Sequence, residues 1–476
     1  MKIDFFGKFF KLAFLLIFLA EIASFWAHQF VWLNYLLLAG LTVLTIVLAC
    51  YKLEYSVYLL LAELFIGSKG QLFFIDFGGQ KISIRLAIFA AVFLVWLVKM
   101  FYGQHREFFR SRFLNYYLAL LAFVVLGVVS GILNNDLKSL FFDLNGWLYF
   151  FIAPAIFAVV KNRQAISKVI SLLFAAAFYL ALKTVGLLLV FVHQLPVGIQ
   201  TIYAWVRNSG LGEITPMGEG FYRIFFQAHL YAAVAFIFAL SFLILRKNSA
   251  AEKKYLWLTA VLTSLAVLIS LSRSFWLGLL AAVLAMLLIL LVSKKLTFIK
   301  LTKIVLVMAG MALLEMVFVV LITGNLNQSF FTERFSLNVS EPAAASRLEL
   351  AGPLWRSVKA NWLLGSGFGS EVEYTTLDPR ILETNPTGRY TTYAFEWGYL
   401  DIWLKIGLLG LLAYLLLLVK MMAGSRRLGS LGPLFIAVLS VLAVTSVFSP
   451  YLNHPLGIGL IILIGAMINF YERETD

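Results

Sequence analysis

Residues 256–293 read LWLTAVLTSLAVLISLSRSFWLGLLAAVLAMLLILLVS, and they indicate the fold class of the chain. It holds two long apolar runs, and its only charged residue, Arg273, stands in the short turn between them. An apolar run of roughly 20 residues is long enough to cross a bilayer as a helix. Lys253 and Lys254 precede the stretch, and Lys294 and Lys295 follow it. The stretch therefore predicts two membrane-spanning helices, with the lysines on one side of the bilayer and Arg273 on the other.

The same apolar character extends over the whole chain of 476 residues, of which 62% are hydrophobic and 13% charged. Soluble domains carry about 25% charged residues. The apolar segments lie near 9–27, 30–50, 55–67, 85–101, 113–133, 140–160, 169–193, 223–245, 256–272, 275–293, 304–323, 399–420, 432–449 and 455–471. We predict an all-α polytopic membrane protein with about 12–14 transmembrane helices. The short third segment and the sixth, which contains Asp143 and Asn145, are the two that need not cross completely.

Lysines and arginines fall on every second connection between these segments. Beyond the lysines already named, the clusters are Lys2, Lys8 and Lys11; Lys99, Arg106, Arg110 and Arg112; Lys161, Arg163 and Lys168; Arg246 and Lys247; and Lys420, Arg426 and Arg427. Connections rich in Lys and Arg stay in the cytoplasm, so both termini are predicted to be cytoplasmic. The formal net charge of +14 is then explained by contacts with anionic lipid, and it does not indicate nucleic-acid binding.

This topology divides the chain into four parts. Residues 1–193 form the N-terminal transmembrane helices, and 194–323 form central transmembrane helices with arginine-bearing outer ends. Residues 324–398 form a long non-cytoplasmic loop, and 399–476 form the C-terminal transmembrane helices. Long loops in compact proteins are usually functional or disordered. The composition of this loop is not of low complexity, which favours a function.

Two features of the long loop predict local structure. Ser346 is followed three residues later by Glu349, the spacing of a helix capping box, so we expect an amphipathic helix from Ser346 to about Asn361. Next comes Gly365-Ser-Gly-Phe-Gly369. These glycines follow no strand, so a tight turn is a better interpretation than a phosphate-binding loop.

Several charged residues are predicted to meet on the non-cytoplasmic side, although lysine and arginine are usually concentrated on the cytoplasmic side. Arg223 stands at the outer start of the eighth segment, Arg273 in the turn between the ninth and tenth, and Arg347 and Arg356 in the long loop, which Glu396 closes. Guanidinium groups bind phosphate oxygens bidentately and stay charged. A diphosphate site is therefore one interpretation, and anchoring at the interface is the other. Because Arg347 and Arg356 are nine positions apart, they point to opposite faces of a helix.

Other charges lie inside predicted spans, where an unpaired charge is costly. Glu21, Glu63, Lys183 and Glu315 are each open to two interpretations, internal pairing or function. Asp401 and Lys405 are four residues apart and are predicted to neutralise each other. The five histidines show no metal-ligand spacing, so neither a metal nor a cofactor is predicted.

At these residues the sequence resembles the O-antigen ligase and O-antigen polymerase family of bacterial membrane glycosyltransferases. The matching elements are Ser272-Arg273-Ser-Phe-Trp-Leu-Gly278, Ser346-Arg347 with the glycine turn after it, the long outer loop, and Glu396-Trp-Gly-Tyr-Leu400 before Gly407-Leu-Leu-Gly410. The resemblance covers roughly residues 200–420. Many family members have a histidine–asparagine pair where this chain has Glu396 and Trp397.

The resemblance implies a fold like that of GT-C glycosyltransferases and transfer of a glycan from an undecaprenyl-diphosphate-linked donor. The acceptor is a hydroxyl of a lipid core or of another lipid-linked glycan. Glu396 is then the candidate general base, and the candidate ligands of the donor diphosphate are Arg223, Arg273 and Arg347, with no metal. Candidate contacts of the acceptor or the loop are Arg356, Tyr393, Trp397 and Tyr399. The expected location is the bacterial cytoplasmic membrane, with the site on the non-cytoplasmic side.

Two questions stay open from the sequence. The first is whether the protein is a ligase or a polymerase; Glu396 in place of histidine slightly favours a polymerase or a divergent member of the family. The second is the alternative class, a flippase for lipid-linked oligosaccharide. A flippase should carry its important charges near mid-membrane and have short outer loops, whereas here the charges gather beside a long one.

Overall fold

The computed structural model describes residues 5–77, 80–217, 220–324 and 342–475. Each predicted apolar segment contains a helix. The helices are α1 (Lys8–Gln29), α2 (Val31–Tyr51), α3 (Leu53–Ile66), α4 (Ile84–Phe101), α5 (Leu114–Asn134), α6 (Leu137–Leu144), α7 (Ala153–Val159), α8 (Arg163–Val192), α9 (Ile199–Asn208), α10 (His229–Leu245), α11 (Ala250–Ile269), α12 (Arg273–Val292), α13 (Phe298–Thr323), α14 (Pro342–Ala360), α15 (Gly398–Ser425), α16 (Gly432–Phe448) and α17 (Pro455–Thr475).

Three small antiparallel hairpins lie in the connections. Their strands are β1 (Phe74–Phe77) with β2 (Gln80–Ser83), β3 (Gly212–Pro216) with β4 (Tyr222–Phe226), and β5 (Val372–Thr375) with β6 (Arg389–Thr392). One further turn of helix, Pro379–Leu382, lies between β5 and β6. Part of the predicted long loop, residues 325–341, lies outside the described residues.

In the described part of the chain, nine helices are long and apolar enough to cross a membrane. They are α1, α2, α4, α5, α8, α12, α13, α15 and α17. Helix α6 and the following Trp147–Val159 form a pair bent by 40° that would make a tenth span. Helices α10 and α16 are apolar but shorter. The protein is thus an all-α polytopic membrane protein, as predicted.

Contacts between connections separate the bundle into two ends. At the end that carries the three hairpins, here called the hairpin end, Lys81 Nζ donates to the Asn208 carbonyl at 2.8 Å. At the opposite, basic end, Arg163 pairs with Glu474 at 3.0 Å. Connections predicted to share a side therefore do meet at one end, which supports the predicted parity of the spans.

The helices differ greatly in how deeply they are buried. In α10, every residue from His229 to Phe242 is buried, as expected for an apolar helix at the centre of a bundle. In α13, the described residues that are buried are Glu315, Val319 and Ile322. Helix α13 therefore lies at the periphery and presents most of its surface to lipid.

The charges inside the spans find partners within the protein. Lys183 pairs with Glu21 at 2.6 Å, and both side chains are buried. Arg85 holds Glu63 through two hydrogen bonds of 2.9 and 3.0 Å. Internal pairing, one of the two interpretations of Glu21, Glu63 and Lys183, is confirmed.

Helix α15 is broken at Gly407, whose φ of 71° and ψ of 177° are not helical. The preceding segment, residues 361–369, enters the bundle at this break. Ser366 N donates to the Leu404 carbonyl at 2.6 Å, and Leu408 N donates to the Trp362 carbonyl at 2.9 Å. Irregular backbone at membrane depth is stable only when its polar groups are satisfied in this way.

The glycines of this segment serve the turn that was predicted for them. Gly365, Gly367 and Gly369 have φ of 81°, 88° and 78°, a region that only glycine enters without strain. A Cβ on Gly367 would lie 2.4 Å from the Gly131 nitrogen of α5. The three glycines thus permit both the left-handed turn and the close approach to α5.

Candidate functional site

Arg223 lies on strand β4, opposite Thr215 of β3. The sequence had placed it at the start of the eighth transmembrane helix, which is wrong, because α10 begins only at His229 and the chain before it pairs as a hairpin. The guanidinium of Arg223 donates through Nε to the Ser270 carbonyl at 2.9 Å. It also lies over the Phe225 ring, 4.7 Å from the centroid.

Buried hydrogen bonds fix the strand that carries Arg223. Phe226 N donates to His229 Nδ1 at 3.2 Å, and His229 Nε2 lies 2.9 Å from the Thr184 hydroxyl. The Tyr451 hydroxyl donates to the Gln227 carbonyl at 3.1 Å. Strand β4 is therefore tied to α8, to α10 and to the turn after α16, so Arg223 projects from a rigid support.

Arg273 is the first residue of α12, after a tight turn from α11. Leu271 in this turn has φ of 48°, a strained conformation for a residue with a branched side chain, and such strain is concentrated at functional sites. Because Arg223 bonds the Ser270 carbonyl, the two arginine-bearing segments are in direct contact.

A row of hydroxyl groups continues from the Arg273 turn. Ser272 Oγ lies 3.0 Å from Ser274 Oγ, which lies 3.1 Å from Ser449 Oγ. Sequence reasoning did not single out Ser449, because nothing in the order of the chain shows that the turn after α16 meets the start of α12. Hydroxyls both donate and accept hydrogen bonds, so the row suits phosphate or sugar oxygens.

Arg347 and Glu396 form an ion pair at the mouth of the long loop. Their side chains are 40% and 52% exposed, so the pair is accessible from the aqueous side of the hairpin end. Trp397 Nε1 donates to the Arg347 carbonyl at 3.0 Å, which binds α14 to the start of α15. The candidate base is thus paired with one of the candidate ligands of the diphosphate.

Helix α14 starts earlier than predicted. It begins at Pro342, so Ser346 lies inside the helix and does not cap it. Proline is favoured in a first helical turn, and alanine, which fills the next three positions, is the best helix former. The Ser346 hydroxyl instead lies 3.0 Å from that of Tyr374 on β5. Along the helix Arg347 is half-buried and Arg356 is exposed.

The Glu396 segment and the Arg273 turn meet at the turn after α16. A Cβ on Gly398 would lie 2.5 Å from the Ser446 carbonyl and 3.4 Å from that of Ser449, so the start of α15 packs directly on this turn. Ser449 also contacts Ser274. A continuous line of contacts thus runs from Arg223 through the Arg273 turn and Ser449 to Gly398, two residues after Glu396.

A buried charged cluster underlies this line. Lys405 pairs with Asp401, as predicted, and also with Asp143. Asn453 donates to Asp401, and Asp143 accepts from Gly369 N at 2.9 Å. The sequence marked Asp143 only as unusual within an apolar segment. The cluster joins the bent pair, the glycine turn, α15 and the turn after α16 into one support for the site.

The aromatic candidates have defined surroundings. The Tyr399 hydroxyl donates to the Ala443 carbonyl at 2.8 Å, and the Trp397 ring packs on Phe448, so both hold α15 against α16. Tyr393 is half-buried on the loop, where burial raises the pKa of its hydroxyl and the nearby Asp143 carboxylate raises it further. Tyr393 is therefore a neutral hydroxyl. Contact of these three with an acceptor stays a prediction.

Among the residues that the structure describes, no group of three or more His, Cys, Asp or Glu side chains is placed to hold a metal ion. The three arginines predicted to bind the diphosphate and the candidate base Glu396 are the charged groups predicted for this site. The arrangement can bind an anion through guanidinium groups and can accept a proton on a carboxylate.

The model of the O-antigen ligase family matches residues 258–415. The matched part contains Arg273, Arg347 and Glu396, whereas Arg223 and Ser449 lie outside it. No curated protein matches the chain. The resemblance found in the sequence is confirmed for residues 258–415.

Proposed function

From the O-antigen ligase domain at residues 258–415, we propose that this protein is a membrane glycosyltransferase of cell-surface polysaccharide biosynthesis. It takes a glycan from an undecaprenyl-diphosphate-linked donor and joins it to an acceptor hydroxyl. The reaction takes place on the non-cytoplasmic side of the bacterial cytoplasmic membrane. The observation that carries the proposal is the line of contacts from Arg223 through the Arg273 turn and Ser449 to Gly398, two residues after Glu396.

In the proposed reaction the acceptor oxygen attacks the anomeric carbon of the donor glycan. The bond between that carbon and the diphosphate oxygen breaks, and its electron pair leaves with the diphosphate. The proton of the acceptor hydroxyl passes to Glu396. Positive charge held in place near the leaving diphosphate stabilises the transition state, and Arg223, Arg273 and Arg347 supply it without a metal ion.

The ion pair with Arg347 keeps Glu396 ionised until the acceptor arrives. An adjacent guanidinium favours the ionised carboxylate, which is the form that acts as a base. Arginine has five N–H donors, so Arg347 can hold Glu396 and still contact a phosphate oxygen. We propose that donor binding draws Arg347 toward the diphosphate and loosens its hold on Glu396 as the acceptor arrives.

Transfer by the purified protein in lipid nanodiscs tests the donor site. Arg273→Ala and Arg223→Ala should weaken donor binding and lower turnover, and Arg273→Lys should restore only part, because an ammonium cannot form the bidentate fork. Arg389→Ala is the matched control, since Arg389 is 73% exposed on the same side of the protein. Wild-type transfer in both arginine variants would refute a diphosphate site here. A flippase, which only moves its substrate across the membrane, would form no glycosidic bond in this assay.

The proposed absence of a metal is tested by chelation. Transfer should survive EDTA, because the arginines provide the charge that a divalent cation would otherwise provide. Loss of transfer that returns with magnesium or manganese would contradict this part of the proposal.

The products of the transfer assay identify the acceptor: longer lipid-linked glycans indicate a polymerase, and glycan on a lipid core indicates a ligase.

The side of the membrane is tested by labelling single cysteines in a Cys50→Ser background. Leu377, in the long loop, is 75% exposed, and Tyr102, at the basic end, is 80% exposed. A membrane-impermeant reagent added outside intact cells should label Leu377→Cys and leave Tyr102→Cys unlabelled. The reverse pattern would place Glu396 and the arginines in the cytoplasm.

A further inference from the structure

A second cavity, of about 330 Å³ and with polar walls, lies at the hairpin end of the bundle. Its walls come from α1, α2, the β1–β2 hairpin and the end of α9. The arginines and Glu396 of the candidate site lie on other elements, so this cavity is a separate feature of the molecule.

Hydrogen bonds between distant segments fix the walls of the cavity. The Ser24 hydroxyl donates to the Leu72 carbonyl at 2.7 Å and accepts from Trp205 Nε1 at 3.1 Å. The Asn34 side chain exchanges two hydrogen bonds with the backbone of Phe74, at 2.6 and 3.2 Å. The uncharged polar groups of the lining are thus bound within the protein, and the cavity keeps its shape without a ligand.

Two opposite charges stand side by side at the cavity. Asp76 on β1 is paired directly with Lys81 on β2, so their Cβ atoms lie on one face of the hairpin about 4.5–5.5 Å apart. Lys81 Nζ donates to the Asn208 carbonyl at 2.8 Å and lies 4.3 Å from the centroid of the Phe74 ring. These contacts hold the ammonium in place, and with three N–H donors it can also bind an anion.

His28 of α1 adds a second donor to the same cavity. It lies close enough to Lys81 for the charges of the two side chains to interact, and each tautomer of imidazole carries one N–H donor. An anion in the cavity can therefore contact Lys81 and His28 together, with the Asp76 carboxylate next to it.

Aromatic side chains around the cavity indicate its depth in the membrane. Trp26, Phe30, Trp32 and Tyr35 are all exposed around the turn from α1 to α2, and Tyr35 also lines the cavity. Tryptophan and tyrosine are concentrated where the bilayer meets water. The cavity therefore opens at the level of the phospholipid headgroups, with the apolar outer surfaces of α1 and α2 below it.

We infer that this cavity binds the phosphoethanolamine headgroup of a bilayer phospholipid. The phosphate lies between Lys81 and His28, and the ammonium, two carbons away, donates to Asp76. The acyl chains extend along α1 and α2. A purely anionic headgroup would bring no cation to Asp76, and a trimethylated amine has no N–H to donate to it. The inference does not depend on the proposed function, because it concerns lipid binding alone.

Native mass spectrometry, which counts lipids on the folded protein, tests the inference. The probes are phosphatidylethanolamine, phosphatidylglycerol and phosphatidylcholine with the same acyl chains. Wild type should bind phosphatidylethanolamine roughly tenfold more tightly than the other two, as expected for one additional hydrogen bond between charged groups. Asp76→Asn should abolish this preference. Lys81→Ala should weaken binding of all three lipids, since all contain the phosphate.

Lys138→Ala is the matched control, because Lys138 is an exposed lysine beside an aspartate, Asp136, outside the cavity. It should bind all three lipids as wild type does. Equal binding of the three lipids by wild type, or an unchanged preference in Asp76→Asn, would overturn the inference. Free O-phosphoethanolamine and inorganic phosphate should not displace the lipid, because they lack acyl chains. Displacement by either would assign the cavity to a soluble phosphate compound and would also overturn it.

Discussion

Two arginine–glutamate pairs of this protein have the same chemistry and opposite surroundings. Arg85 and Glu63 lie inside the bundle, with side chains 7% and 6% exposed, and Arg85 also donates to the Ser68 carbonyl at 2.7 Å. Arg347 and Glu396 lie at the mouth of the long loop and are about half exposed. In the first pair both charged groups are bound by other groups of the protein. The second pair keeps exposed surface that a substrate can contact.

These surroundings indicate which charges of such a protein stabilise the fold and which can take part in its reaction. In a buried pair, removal of one partner leaves the other charge in a medium that solvates it poorly. An exposed pair contributes little to folding because water replaces the lost partner. If the comparison is right, substitutions in the first pair change stability, and substitutions in the second change activity.

The largest expected effect is on catalysis at the exposed pair. Glu396→Gln keeps the shape and hydrogen bonding of the side chain but removes its basicity, so turnover should fall roughly 10²–10⁴-fold with donor binding little changed. Glu373→Gln, in another exposed pair of the same loop, should keep normal turnover. Normal turnover of Glu396→Gln in a steady-state transfer assay would show that Glu396 is not the base.

The next effect is on stability at the buried pair. Glu63→Gln leaves Arg85 charged and buried, which should cost about 3–5 kcal/mol and lower the thermal unfolding midpoint in detergent. The double variant Glu63→Met with Arg85→Met should recover much of that loss, since an apolar pair carries no desolvation cost. A midpoint of Glu63→Gln equal to that of wild type would show that the buried pair does not stabilise the fold.

A third buried pair tests the same account, because its cation has an additional partner. Lys183 pairs with Glu21 and also lies 4.6 Å from the centroid of the Phe226 ring. Glu21→Gln should therefore cost about 2–3 kcal/mol, less than Glu63→Gln, because the aromatic face still stabilises the cation. Thermal unfolding of both variants side by side measures the order, and the reverse order would contradict this account.

The smallest effect is expected on the stability of the exposed pairs. Arg347→Ala and Arg389→Ala should each change the free energy of unfolding by about 0–1 kcal/mol. Arg347→Ala should nevertheless lose transfer activity, whereas Arg389→Ala should keep it. A large drop in the unfolding midpoint of Arg347→Ala would mean that its pair with Glu396 serves mainly to hold the loop closed.

The sequence predicts those features that depend on local pattern. Apolar runs of bilayer length predict where the helices lie. The clusters of lysine and arginine on every second connection predict which connections share a side of the membrane. Local spacing also predicted the Asp401–Lys405 pair and the glycine turn, because both depend on residues that are close in the chain.

The rest depends on contacts between distant segments. The sequence marks Glu63 as a costly charge, but it does not name Arg85 as its partner. Asp143 on α6 and Ser449 in the turn after α16 reach the site from segments far apart in the chain. Arg223 was misplaced because a strand of five residues, Tyr222–Phe226, continues directly into an apolar helix and shares its composition.

The insertion of residues 361–369 into the bundle has a consequence for how the protein is made. Asn135 beside α5 donates to the Ser366 carbonyl, although the two residues are 231 positions apart, and the break in α15 follows the segment in the chain. Synthesis delivers these partners in the order α5, then the segment, then α15. The segment therefore cannot complete its contacts until α15 has been made. We therefore expect the segment to dock late in biogenesis, and a chain truncated before α15 keeps the partners beside α5 but lacks those at the break in α15.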